Sequence, residues 1–363
     1  MSLQRKITWT CLILLAIGIK VISFFPGVVE KYYSKGIYPI LARGQRMLFG
    51  WVPFSVGDIL YGAAVVLLFY RLIRLIRQLV RGQAERGWWL QLLRRTAFVL
   101  LWVYVLFNGL WGLNYSRLGI ADEFALKVRP YSKADLIDLT VIVAAELNAL
   151  HDSAKARRSG LAHVALLRAG AVAAYDSLAR PGWFVAYRSP SVKPSLFSYP
   201  GLYIGFAGYY NPFTGEAQVN TRDPLVSLPF TTCHEMGHQL GYAVEDEADF
   251  VGFMAARNSP DPAFQYSLYL DLYRFAIKEL YIQDPALAVL LGGKLAPGVR
   301  EDLQEIQRFN RQHENPIESR IWNIYGLYPQ ANRQPEGIVT YSELTAYMIA
   351  YGKQMGWDGL RPR

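Results

Sequence analysis

The chain has 363 residues, of which 52% are apolar and only 18% charged, with 9 Trp, 24 Tyr and 18 Phe. That length accommodates one sizeable folded domain and a further region, and the composition argues against a wholly soluble enzyme and for membrane contact along part of the chain. The formal charge of +9 is uneven: residues 1–117 hold fifteen Lys/Arg and three Asp/Glu, a net of +12, and the rest hold twenty-three and twenty-six, a net of −3. Basic groups around apolar segments are topology or lipid-headgroup signals, so the expected partner is a lipid bilayer and not nucleic acid.

Three apolar stretches read as transmembrane helices, at about residues 7–25, 54–71 and 96–115. A span needs about 20 residues at 1.5 Å each to cross roughly 30 Å of hydrocarbon. The first stretch follows Arg5 and Lys6 as a signal peptide would, but it ends in Ser23-Phe24-Phe25-Pro26-Gly27 without a small-x-small cleavage site, so a retained anchor is expected. Arg71, Arg74, Arg77, Arg81, Arg86, Arg94 and Arg95 crowd the connection between the second and third spans. The positive-inside rule places that connection in the cytoplasm. Part of it also fits an amphipathic surface helix, since Arg71, Arg74, Arg77 and Arg81 recur at helical spacing. The expected organisation is a multi-pass membrane region over 1–117 and an extracytoplasmic domain over 118–363.

The domain reads as α+β. Residues 132–150, with Ser132 as N-cap, and Leu161–Tyr175 have helical patterns. Trp183–Tyr187, Leu202–Phe206 and Glu216–Thr221 are β-prone, and Asn211-Pro212-Phe213-Thr214-Gly215 is a turn signature. Helical patterns return at Tyr266–Tyr281 and Glu301–Arg311. Cys11 and Cys233 are the two cysteines; one lies in an apolar run and the other beside the motif described next, so no disulfide is expected.

His234-Glu235-Met236-Gly237-His238 carries the chemistry. On a helix His234 and His238, four apart, share a face and can grip one Zn²⁺, while Glu235, about 100° around the axis, stays free to act as general base toward a water whose pKa falls toward about 7. Gly241 suits the helix C-terminus. The competing structural reading is a capping box from Thr232 to Glu235, which leaves both histidines unexplained. A third ligand is expected from the run Glu245-Asp246-Glu247-Ala248-Asp249: Glu245, with Glu247 as the alternative. Asp249, on the face of Glu245, could accept the other N–H of a ligating histidine. Tyr209, Tyr210, His313, Tyr325 and Tyr341 are candidates for stabilising an oxyanion, and spacing does not separate them.

The motif and the run after it resemble the gluzincin metallopeptidases. More closely, the chain resembles a bacterial family of membrane-anchored zincin-like proteins, domain-of-unknown-function family 3810, through its apolar N-terminal spans, Asn211–Asn220 (NPFTGEAQVN), Pro229–Phe250 (PFTTCHEMGHQLGYAVEDEADF) and Tyr341-Ser342-Glu343. The resemblance implies a zincin-like fold, His234, His238 and Glu245 on zinc, Glu235 as base, and Glu216–Thr221 as an edge strand that aligns an extended peptide. Six residues separate His238 from Glu245, and Val244 stands where the metzincin pattern has its third histidine. The expected function is zinc-dependent hydrolysis of a peptide or protein substrate. The alternative is a non-catalytic zinc- or peptide-binding membrane sensor; an intramembrane protease is disfavoured by the polar Thr231, Thr232 and Gln239 on the motif helix. No oligomeric state follows from the sequence.

Overall fold

The computed structural model describes residues 2–83, 86–179, 187–316 and 343–362, and it is mostly helical with one small sheet. The chain divides into two units. One comprises the residues up to Leu118 together with Asn211–Glu216; the other runs over Gly119–Tyr210 and from Ala217 to the end.

The first unit opens with α1 (Leu3–Ile22), then α2 (Pro26–Val28), a π-helical stretch (Val29–Ile37) and α3 (Tyr38–Phe49), followed by α4 (Val56–Val80) and α5 (Arg86–Leu110). Among the described residues two helices, α4 and α5, are long and apolar enough to cross a membrane, and a third crossing counts only if α1 is joined to the helix that follows across a 104° bend. The apolar part of α1 between Lys6 and Lys20 covers about 20 Å, short of a full hydrocarbon core. The helices also differ in extent from the expected spans. Arg71, Arg74 and Arg77 continue α4 to Val80, helical as their spacing allows, so that the connection to α5 is shorter than the arginine-rich stretch. At the other end, the chain tightens into a 3₁₀ turn over Gly112–Ser116.

Ser55 N-caps α4, its Oγ accepting from Asp58 N at 2.9 Å. The Glu216 carboxylate sits on the same helix start, accepting from Val56 N at 3.1 Å, Gly57 N at 2.6 Å and Ser55 Oγ at 3.3 Å. A carboxylate there satisfies orphan helix N–H groups and complements the helix dipole. The preceding turn is closed by Asn211, whose Oδ1 accepts from Phe213 N and Thr214 N at 3.0 and 3.2 Å, and by Gly215 at φ +68°. The resemblance segment Asn211–Asn220 thus contains a turn and a helix-capping carboxylate.

In the second unit, α6 (Ile120–Glu123) leads to α7 (Lys133–Arg157), which starts at a capping box between Ser132 and Asp135, and to α8 (Val164–Ala179). Next come β1 (Val192–Pro194), α9 (Ser198–Ile204), β2 (Gly208–Asn211) and β3 (Glu216–Val219). The unit then continues with α10 (Leu228–Gln239), α11 (Glu245–Arg257), α12 (Pro262–Gln283), α13 (Pro285–Gly293), α14 (Pro297–His313) and α15 (Glu343–Met355). The core gathers Leu136, Leu139 and Val143 of α7, Phe250 and Phe253 of α11, and Phe264, Leu268 and Tyr269 of α12.

Two strand expectations change. Leu202–Phe206 is the end of α9, not a strand: Gly205 at φ +81° closes the helix, and Gly201 O accepts from both Gly205 N and Phe206 N. The sheet order is β1-β3-β2, with β1 and β3 parallel in the register Val192↔Ala217. Glu216–Val219 is therefore the central strand, not an edge. Trp183–Phe184, Val185 and Ala186 lie outside the described residues, as do Tyr325, Tyr341 and Ser342.

Candidate metal centre

The motif lies in α10, which is buried along most of its length. Pro229 occupies its first turn, where a missing N–H costs nothing. Cys233 and Met236 face the core, and Tyr175 OH donates to the Cys233 carbonyl at 2.6 Å. Thr232 stands one turn inside the helix and donates its hydroxyl to Leu228 O at 2.7 Å. It is no N-cap, so the capping-box reading of Thr232 and Glu235 does not hold. Gly241 has φ +91°, and Tyr242 N bonds back to Gly237 O, so the chain reverses immediately after the helix.

That reversal packs α11 against α10 at close range. A Cβ on Gly237 would lie 3.2 Å from Ala248 O, and one on Gly252 would lie 3.1 Å from His234 N. Both obstacles are backbone atoms, so the two glycines set how closely the helices approach. The first turn of α11 is thereby brought beside the histidine face of α10.

His234, His238 and Glu245 converge there, each offering one ligand atom, with all three atoms within 4.8 Å of one another. Glu245 Oε2 is 3.2 Å from His234 Nε2 and 3.6 Å from His238 Nε2. The other ring nitrogens are engaged. His238 Nδ1–H donates to the Tyr242 carbonyl at 2.7 Å, and His234 Nδ1–H donates to Asp249 Oδ1 at 2.6 Å. A carbonyl can only accept, so the neutral His238 ring carries its proton on Nδ1 and turns the Nε2 lone pair toward Glu245. The two rings stand at 90° with centroids 4.8 Å apart.

The expected alternative ligand, Glu247, lies elsewhere. Its side chain is buried, and its Oε1 accepts from Ile120 N at 3.0 Å. Tyr242 contributes a second link in this region, donating its hydroxyl to Glu123 at 3.0 Å.

Glu235, between the two histidines in sequence, packs its carboxylate against Gly208 of β2. It is 4% exposed, and its Oε2 has no hydrogen-bond partner among the described residues. Burial pushes its carboxyl up to about 7, against the pull of the two imidazoles. At Glu245 burial also acts upward, but the His238 and His234 rings outweigh it and hold that carboxyl well below its ordinary range. The His234 ring is held well above its ordinary value: burial opposes protonation, and Asp249, Glu245 and Glu235 overcome it. Asp271 of α12 adds a further carboxylate in the field of Asp249 and His234, paired with Arg274 at 2.9 Å. A cluster so rich in carboxylates favours a cationic guest.

The distances from Glu245 to the two rings match those around a zinc-sized ion. Ligands roughly 2.0–2.2 Å from a tetrahedral centre lie about 3.4 Å from one another, and the two observed Nε2–Oε2 separations, 3.2 and 3.6 Å, bracket that value.

Sequence reasoning missed Gly208. A Cβ there would lie 2.6 Å from Glu235 Oε1 and 2.8 Å from the Gln218 carbonyl. Gly208 has no motif around it; the only signal is a glycine entering a strand, which marks close approach of another group. Gly208→Ala is expected to destabilise the protein by about 1–3 kcal/mol, the usual cost of overpacking, measured by chemical denaturation, and to displace the Glu235 carboxylate. Unchanged stability would show that the strand has room there. Of the oxyanion candidates, Tyr209 meets Phe206 edge-on and His313 Nδ1 donates to Phe309 O, while Tyr325 and Tyr341 lie outside the described residues.

A family model described as "Protein of unknown function (DUF3810)" matches residues 33–349. The chain belongs to this family. The match covers the motif helix, the acidic run and the Asn211–Asn220 segment of this family member. No curated protein and no solved structure matches it.

Proposed function

We propose that this chain is a membrane-anchored zinc-dependent metallopeptidase, with a zincin-like domain, that hydrolyses peptide bonds. The observation that carries this reading is the convergence of His234 Nε2, His238 Nε2 and Glu245 beside a buried Glu235 whose Oε2 has no hydrogen-bond partner among the described residues. A catalytic zinc keeps three protein ligands and one open position, and Glu245, with a side chain 52% exposed, forms the open side of the cluster. A bound Zn²⁺ would supply Lewis acidity toward a carbonyl and acidify a water in that position.

The remaining chemistry belongs to the chain. Glu235 accepts the proton of the attacking water at Oε2 and delivers it to the departing amine. A value near 7 suits both steps, since the group must gain and then lose the proton near neutral pH. Asp249 and the Tyr242 carbonyl hold the imidazoles in the ligating tautomer. Because β3 is central, alignment of an extended substrate is assigned to the outer strand β2, which Gly208 brings against Glu235. The arginines of α4 and the start of α5 mark a cytoplasmic connection, which puts Gly119 onward on the periplasmic side.

The test is zinc content together with turnover. The purified full chain is expected to hold one equivalent of Zn²⁺ and to cleave members of a peptide library. Zinc without any cleavage would favour the sensor reading, and no zinc at all would remove the hydrolase reading. Asp249→Ala is expected to weaken zinc binding by about 10–100-fold, the usual effect of removing the carboxylate behind a ligating histidine, as measured by competition with a chelator; unaltered affinity would deny Asp249 that role.

A further inference from the structure

The 104° bend after α1 is accompanied by an exposed apolar edge. In α3 the exposed positions are Ile40, Arg43, Gly44, Met47 and Leu48, at helical spacing along one face, with Trp51 just beyond at 79% exposure. The opposite face, Tyr38, Ala42 and Arg46, is buried. A soluble helix would show the reverse pattern.

The tethers of the buried face fix its level. Tyr33 OH donates to the carbonyls of Asn108 and Gly109, in the last turn of α5, at 3.2 and 3.1 Å. Ser34 Oγ donates to Asn114 Oδ1 at 2.8 Å, and the Arg117 guanidinium makes a bidentate pair with Glu30 at 2.8 and 2.9 Å. Every one of these partners lies at the C-terminal end of α5 or just past it. Helix α1 lies alongside α5, with the Trp9 and Phe98 rings 5.3 Å apart, so the chain turns away at the level where α5 ends.

We infer that Pro26–Phe49 is an interfacial helix lying along the membrane surface, with Ile40, Met47, Leu48 and Trp51 set into the boundary between headgroups and acyl chains. Three features support it. A turn near 90° from a helix packed along a membrane span runs in the membrane plane. Aromatic and basic residues on the exposed side, Tyr32, Trp51, Lys31, Lys35 and Arg43, are those that settle at headgroup level. Helices α4 and α5 of the same unit likewise expose apolar side chains, with Val66 and Val99 69% and 58% exposed. The segment occupies one leaflet, between the end of α1 and the start of α4, and is not the second half of a broken span.

Depth measurement by spin labelling tests this on the full chain in vesicles of phosphatidylcholine and phosphatidylglycerol. In a Cys11→Ser background, with Cys233 buried, nitroxides are attached at Tyr32→Cys, Ile40→Cys and Leu48→Cys. Ile59→Cys, Val66→Cys and Ile73→Cys on α4 serve as the depth ruler. Relative accessibility to oxygen and to an aqueous nickel complex is expected to put the three test sites at one shallow depth, within about 5–10 Å of the headgroup boundary. A change of roughly 20 Å from Tyr32 to Leu48, as a segment running through the bilayer would give at 1.5 Å per residue, overturns the inference. So does free access to nickel, which means water, or exclusion of both reagents, which means cover by protein, a second copy included. None of these outcomes depends on the metal centre.

Discussion

Glu235→Gln is expected to lower peptide hydrolysis by about 10²–10⁴-fold, the usual contribution of a positioned acid–base group, while leaving zinc content unchanged. Glutamine preserves the size of the side chain and its approach to Gly208, but its amide cannot take up a proton. The His234, His238 and Glu245 ligand atoms are untouched, which is why the two readouts should separate. The same residue sets the acidic limb of the rate profile. Glu235 works as a base only when ionised, so the rate should rise as pH increases through its pKa. Burial raises that carboxyl to about 7 while the imidazoles pull it down, and a bound cation would add to that pull, so the limb is expected at or below about 7. Wild-type rates in the variant, with zinc retained, would remove Glu235 from the chemistry. Loss of zinc in the variant would make it a ligand instead.

His238→Ala should have the largest effect on metal binding, a loss beyond the 10–100-fold expected when only a supporting group is removed. It takes away one of the three convergent ligand atoms and also leaves the Tyr242 carbonyl without its Nδ1–H donor. Losing an intramolecular hydrogen bond costs about 0.5–1.5 kcal/mol, so the zinc-free variant should be less stable than the zinc-free parent. The decisive readout is the response to zinc. A ligand bound only by the folded state adds RT ln(1 + [L]/Kd), about 2.7 kcal/mol at a hundredfold excess over Kd. Parent protein should gain thermal stability on adding Zn²⁺, and His238→Ala should gain almost none at the same concentration. An equal shift in both would place the ion elsewhere.

These expectations rest on features with very different visibility in the sequence. The shared face of His234 and His238, with Glu235 off to one side, follows from 3.6 residues per turn and needs no tertiary information. The N-cap at Ser132 and the helix end at Gly241 are equally local, because a side-chain cap and a positive φ are decided within a few residues. The apolar stretches of α4 and α5 are legible for the same reason: composition alone sets hydropathy.

Other features depend on parts of the chain far apart in sequence. Thr232 could cap or sit inside a helix; the start at Leu228 decided it. Of the acidic residues in the first turn of α11, Glu245 turns to the histidines and Glu247 to Ile120 N, and that choice depends on how α11 packs across α10. Gly237 and Gly252 permit the close crossing, Gly208 carries β2 up to Glu235, and Asp271 arrives from α12, none of them marked by a local motif. The central place of β3 and the sharp turn after α1 likewise belong to strand pairing and to tethers on the end of α5. Periodicity and turn chemistry fixed which side chains could act together in this protein. Only folding settled which ones meet, because a contact between distant segments depends on the packing of everything between them.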